Sequence, residues 1–163
     1  ASGDTLAILT PLGNEPPSSN PATLDTRNSH FVLDFDDTTN ESAVFKHIMP
    51  QHYAGTTGVT VYVHYSMASA TSGDVDWDVA FERIGDQQLD VDSDSFAAVN
   101  STDGTTVPGT SGNVDVISVA FTDGADMDSV AVGELYRIKL TRDAANDTAS
   151  GDAELHAIEI RET

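Results

Sequence analysis

The segment Asp74–Ile84 reads Asp-Val-Asp-Trp-Asp-Val-Ala-Phe-Glu-Arg-Ile. Val75, Trp77, Val79 and Phe81 fall on one side at period two, and Asp74, Asp76, Asp78, Ala80 and Glu82 fall on the other. That alternation predicts a β-strand with one dry face and one wet face. The dry face carries the only tryptophan of the chain, so this strand is expected at the centre of the core.

Other segments repeat the pattern. Asp4–Thr10 predicts a first strand, and Ser29–Phe35 a second with Phe31, Leu33 and Phe35 on one face. Ser42–Ile48 alternates Ala43, Phe45 and His47 against Val44, Lys46 and Ile48. Val59–Tyr65 turns four apolar residues inward and Thr60, Tyr62 and His64 outward; Leu135–Thr141 sets Tyr136, Ile138 and Leu140 against Arg137 and Lys139. Val114–Phe121 is almost continuously apolar, which predicts burial on both faces. Glu154–Ile160 changes phase between Leu155 and Ile158, which predicts a β-bulge. Asp90–Val99 has no clear period and offers Phe96 as a core anchor, while Asp126–Val130 suits one helical turn capped by Asp126. Ser-Gly-Asp or Ser-Gly-Asn precedes a strand at residues 2–4, 72–74, 111–113 and 150–152. There the glycine supplies a positive φ and the polar side chain bonds nearby backbone.

No amphipathic helix of useful length interrupts these strands. The fold class is therefore all-β, a two-sheet antiparallel sandwich of jelly-roll type, with another Greek-key topology as the alternative. At 163 residues one domain is expected. Within it, residues 1–28 form a first strand and an extended arm, and residues 29–163 form the sandwich. The arm carries Pro11, Pro16, Pro17 and Pro21, and proline lacks the donor that a sheet ladder needs. Such an arm either lies along a neighbouring subunit or packs on its own domain.

Charge narrows the functions. Twenty Asp and seven Glu stand against five Arg and two Lys, a net charge of −20. Seven scattered cations do not assemble the basic patch that nucleic acid or an anionic membrane surface requires. Asp in excess of Glu, with little Lys, suits a saline or marine setting. There is no cysteine, which excludes disulfides and thiolate metal sites. No apolar stretch is long enough for a membrane helix, and Ala1-Ser-Gly-Asp4 has no basic or apolar signal region.

Asp90, Asp92 and Asp94 have the alternate spacing of a calcium loop but lack the glycine and distal Glu of an EF-hand. They are the candidates for a structural calcium ion; no other cofactor is expected. Residues 123–128 and Asp34, Asp36, Asp37 and Glu41 are further acidic groupings of the same kind. His30, His47, His52, His64 and His156 have no zinc-motif spacing. No nucleophile elbow or phosphate-binding glycine loop occurs, and nothing selects a catalytic pair among 27 carboxylates. The chain is expected not to be an enzyme. Tyr53, Tyr62 and His64 are the candidate contact residues, since Trp77 is phased with the core.

A family resemblance rests on several runs. They are Asn14-Glu-Pro-Pro-Ser-Ser-Asn-Pro-Ala-Thr-Leu-Asp-Thr-Arg-Asn28, Asp34-Phe-Asp-Asp37, Glu41-Ser-Ala-Val-Phe45, Met49-Pro50 and Tyr53-Ala-Gly55, followed by Thr71-Ser-Gly-Asp-Val75, Ala80-Phe-Glu-Arg83, Asp92-Ser-Asp-Ser-Phe-Ala97, Gly151-Asp-Ala-Glu-Leu155 and Ile160-Arg-Glu-Thr163. Over nearly its whole length the chain resembles small stand-alone proteins of tailed bacteriophages and prophages. The resemblance implies a virion-associated sandwich, made in the host cytoplasm, and no catalytic residues. With the arm, it leads to a non-enzymatic capsid decoration (cement) protein. Such a protein would form a homo-oligomer, a trimer, seated on the major capsid protein or another virion protein. The alternative is a glycan-binding, host-surface-binding head of a phage tail or fibre, and a polysaccharide hydrolase ranks third.

Overall fold

The computed structural model describes all of residues 1–163. Twelve strands run in order: β1 (Thr5–Leu9), β2 (Thr23–Arg27), β3 (His30–Phe35), β4 (Glu41–Ile48), β5 (Val59–Met67), β6 (Asp74–Val75), β7 (Trp77–Arg83), β8 (Asn100–Ser101), β9 (Thr105–Thr106), β10 (Asp115–Phe121), β11 (Leu135–Arg142) and β12 (Ala153–Glu162). The first sheet has the order β10-β5-β12-β3-β2, with β1 also on β12; the second has the order β4-β11-β7-β8. All strand pairings are antiparallel. The all-β sandwich expected from alternation is the fold observed.

The two sheets meet through aromatic edges. Trp77 of the second sheet is fully buried and meets Phe35 and Tyr65 of the first edge-on, with centroids 5.0 and 5.5 Å away. Phe81 meets Phe121 in the same way at 4.8 Å. These geometries match the quadrupole preference of aromatic pairs. The organising tryptophan therefore sits where the alternation puts it. The strand with most partners, however, is β12, which β5 flanks on one side and β3 and β1 on the other.

Several local expectations change. The face of β7 read as wet is largely covered. Asp76 and Glu82 are buried: the connection from β7 to β8 folds back over Glu82, where Ser95 N donates to Oε2 at 2.6 Å and Ala97 N donates to Phe81 O, and Asp76 Oδ1 accepts from Ser101 of β8 at 3.0 Å. Phe96 consequently lies on the outer face of the second sheet and not in the core, with Arg137 and Lys139 over its ring. β10 is an edge strand with one free face, so Val116 is 49 % exposed while Val119 and Phe121 are buried. Phe31, expected inward, is also 49 % exposed. The helical turn is a 3-10 turn at Ala125–Met127 preceded by Gly124. Asp126 does not cap it but accepts from Thr122 N at 2.7 Å.

Other expectations hold wholly or in part. All four Ser-Gly-Asx glycines have positive φ, but the expected bond from the polar side chain to nearby backbone does not form at Asp74, Asn113 or Asp152; Asp74 accepts instead from the Thr106 hydroxyl. At Gly73 a Cβ would come within 3.0 Å of the Ala149 backbone, so the turn before β6 tolerates no side chain. The bulge in β12 is present, between Leu155 and Ala157.

The arm packs on its own domain. Pro11 is buried and opens a 3-10 turn. Glu15 N donates to Val44 O, Val44 N to Asn14 Oδ1, Ser42 N to Asn20 O and Ala22 N to Ser42 O. Residues 14–22 thus satisfy the outer backbone edge of β4, and Pro21 bridges Ser42 in parallel. Residues 23–27, read as arm, are strand β2.

Candidate functional site

β2 and β3 join through Asn28 and Ser29, whose φ values are +46 and +67. Two central residues with positive φ make the tight hairpin turn whose twist matches the flanking strands. Its tip leans toward the outer face of the first sheet. There β3 stops pairing with β12 at Leu33↔Leu155, and β1 begins at Leu9↔Ile158. The bulge falls in this gap between partner strands. It lets Leu155 and Ile158, three apart, both enter the core, and it leaves His156 and Ala157 half-buried on the outer side. Bulges re-aim side chains in this way.

A groove of about 480 Å³ results. Arg27, Asn28 and His30 line it from the hairpin, His64 and Ser66 from β5, His156 and Ala157 from the bulge, and Gly112 and Val114 from the approach to β10. Sites for small ligands occupy roughly 300–1,000 Å³. Three of the five histidines meet here, with the His30 and His156 rings edge-on at 6.4 Å. Sequence spacing expected no such meeting. They form no cluster that could hold a metal ion.

A polar network stiffens the floor. Glu154 on β12 is buried and accepts from Arg27 Nη1 at 2.5 Å. The same nitrogen donates to Met67 O at 2.8 Å. Ser66 Oγ donates to Glu154 Oε1 at 3.3 Å and lies 2.8 Å from His156 Nε2. A hydroxyl has one proton and two lone pairs. With that proton directed to Glu154, Ser66 accepts from the His156 Nε2–H, and Nδ1 is left as an acceptor. Burial lowers the pKa of His156 below the usual histidine value; Glu154 opposes this, and His30, Arg27 and His64 add to it. His156 is therefore a neutral hydrogen-bonding ring at pH 7. Gly112 beside it has φ +86, a backbone conformation that favours glycine.

Beside the groove, and not lining it, Asp25 and Asp34 lie diagonally across the β2–β3 ladder, Asp25 opposite Val32 and Asp34 opposite Thr23. Burial, then the hydrogen bond to Asp25, pushes the Asp34 carboxyl up to about 7, while the Thr26 amide and Asp34 hold Asp25 low.

The candidates read from sequence separate. His64 lines the groove. Tyr62 lies next in the same row of β5, but the Arg161 guanidinium covers its ring at 4.1 Å. Tyr53 is buried at the opposite end of the sandwich, where its hydroxyl donates to Asp123 at 2.7 Å and it lines a separate depression with Gln51 and Ala54. Pro16 and Pro17 lie on the outer face of the second sheet, and Pro11 and Pro21 fasten the arm. Asp90, Asp92 and Asp94 do not converge: Asp90 accepts from the Asp92 amide and Asp94 from Arg137.

No sequence-family model and no curated protein sequence matches the chain. Solved structures do match. A family 35 carbohydrate-binding module from an environmental isolate superposes with a TM-score of 0.55 at 12 % identity, over 95 % of this chain and 92 % of that one. The xylan-binding CBM22-1 domain from Paenibacillus barcinonensis gives 0.52 at 11 %, over 98 % and 95 %. The C-terminal family 6 module of a marine laminarinase from Zobellia galactanivorans gives 0.51 at 12 %, over 97 % and 99 %. At such identities the likeness is one of fold.

Proposed function

We propose that this chain is a non-catalytic glycan-binding domain whose groove on the first sheet takes a segment of a linear polysaccharide. The observation that carries the reading is the sandwich shared end to end with carbohydrate-binding modules, one of them xylan-binding. The groove adds chemical support. Asn28, Ser66 and the three imidazoles offer donors and acceptors that match sugar hydroxyls, while Val114 and Ala157 suit the C–H faces. No carboxyl lines it, and the nearest, Glu154, is held by Arg27. Glycoside hydrolysis uses two carboxyl groups flanking the bond, so the reading is binding without turnover.

Seating on a capsid drew on the arm as a reach toward another subunit. Those backbone groups are met by β4, so that reading keeps only the resemblance in its favour.

Affinity electrophoresis in gels containing xylan, mannan or laminarin tests the proposal. The wild-type chain is expected to be retarded by at least one polymer, and His156→Ala to migrate as in a polymer-free gel. Unretarded migration in every polymer overturns it.

A further inference from the structure

The opposite face of the sandwich holds a second trough, of about 520 Å³. Its floor is Ser42 and Val44 of β4 and Arg137 and Lys139 of β11. The arm residues Glu15–Ser19 form one wall, and Asp94 and Phe96 form the other. Both walls are fixed to the sheet: the arm through its hydrogen bonds to β4, the second wall through Ser95 N on Glu82 and Ala97 N on Phe81 O. The trough is therefore built by the fold, by two connections that run off the sheet and return over it.

Its charges are unusual for this chain. Of the seven basic side chains, five Arg and Lys46 each have a carboxylate partner. Arg137 has two, Glu82 at 2.7 Å and Asp94 at 2.8 Å. Lys139 alone has none; its ammonium lies over the Phe96 ring, 4.7 Å from the centroid. In a protein with 27 carboxylates, the one uncommitted cation lines a trough walled by serines, prolines, an aromatic ring and two carboxylates that are already paired, Glu15 with Lys46 and Asp94 with Arg137. A ring face attracts a cation but carries no net charge, so it does not neutralise the ammonium.

We propose that this trough is a second saccharide site and that it takes a sugar bearing an acidic group, with Lys139 as the anchor for that group. One free cation matches one oxyanion. A densely charged polymer would meet repulsion from a chain of net charge −20, so the ligand is a largely neutral oligosaccharide with isolated acids. Ser18 and Ser19 face its hydroxyls, and Pro16, Pro17 and Phe96 its C–H surfaces. The shared chemistry is an oxyanion on a sugar ring, whether uronate or sulfate ester. The site does not depend on the histidine groove, which lies on the other sheet.

The test is calorimetric titration of the whole chain with three probes of similar length: xylohexaose, a glucuronate-substituted xylo-oligosaccharide and a sulfated carrageenan oligosaccharide. Wild type, Lys139→Gln and His156→Ala are compared at low and high salt. The wild type is expected to prefer at least one acidic probe over the neutral one by about tenfold. High salt is expected to erase most of that preference. Lys139→Gln removes the preference and His156→Ala keeps it; the acidic probe that is preferred identifies the oxyanion. Equal binding of all three probes by wild type, or a preference that survives Lys139→Gln, overturns the proposal. Should Lys139→Gln not fold, the wild-type salt series decides, and a preference insensitive to salt overturns it.

Discussion

Arg27→Met isolates the device that shapes the histidine groove. Glu154 has a side chain only 6 % exposed, against 35 % for Arg27. Removing the guanidinium deletes two hydrogen bonds. Met67 O keeps another donor in the Gly112 amide, so only Glu154 is left short, with Ser66 as its remaining donor. Breaking a fully buried pair costs about 3–5 kcal/mol, and a charge-assisted hydrogen bond alone about 1.5–3 kcal/mol. Arg27 is partly solvated, so the expected cost is about 2–3 kcal/mol. At this chain length each kcal/mol moves Tm by about 2–4 °C, which predicts a fall of about 4–12 °C in a melt followed by Trp77 fluorescence. The pKa of His156, read by NMR, should rise, because Arg27 lowers it and Glu154 raises it. Adding Glu154→Leu removes the stranded charge and should recover most of the loss. A single variant as stable as wild type, a double variant no better than the single, or a His156 pKa that falls would refute the reasoning.

Other substitutions probe the frame around the site. Arg142 is buried and donates to both oxygens of Asp147 and to the carbonyls of Phe35, Ala149 and Gly151; Arg142→Met should cost about 3–5 kcal/mol in urea unfolding, and a loss below about 1 kcal/mol would show the network to be dispensable. Asp34 has a raised pKa, about 7, so the folded state holds a proton that the unfolded state releases near pH 4, and wild-type stability declines as pH rises from about 4 to about 7. Asp34→Asn has no such decline from this site and should gain about 1 kcal/mol on wild type at about pH 8, after allowance for solvent screening, and little at about pH 4; an equal difference at both pH values contradicts the raised pKa of Asp34. Gly58 has φ +79 and a Cβ there would lie 2.1 Å from Phe121 O, so Gly58→Ala should cost at least about 2 kcal/mol by thermal melt.

The strands were legible because burial of one sheet face imposes period two, and Val59–Tyr65 and Leu135–Thr141 show it with few breaks. The bulge was legible for the same reason: Leu155 and Ile158 share a face only if one residue is extra. What failed was whatever depended on a chain segment lying over a sheet. Glu82 alternates as a solvent-facing residue and is buried because residues 84–99 return across it. The β2–β3 hairpin turns on Asn28-Ser29, which lacks the glycine that marks such turns, so its first strand was read as arm. His30, His64 and His156 come together through β12 lying between β3 and β5, an order that no local pattern carries. Lys139 looked like any outward residue of β11; that it alone lacks a carboxylate partner emerges only when the other cations are placed.

The central claim is that the outer face of the first sheet is a saccharide site. An amide chemical-shift titration of the 15N-labelled chain with xylohexaose, mannohexaose and laminarihexaose, each to about 1 mM, tests it directly. The account predicts that at least one oligosaccharide perturbs residues 27–30, 62–66, 112–116 and 154–157 together. Spectra unchanged by all three, or shifts confined to the far loops at residues 51–55 and 123–132, would contradict it.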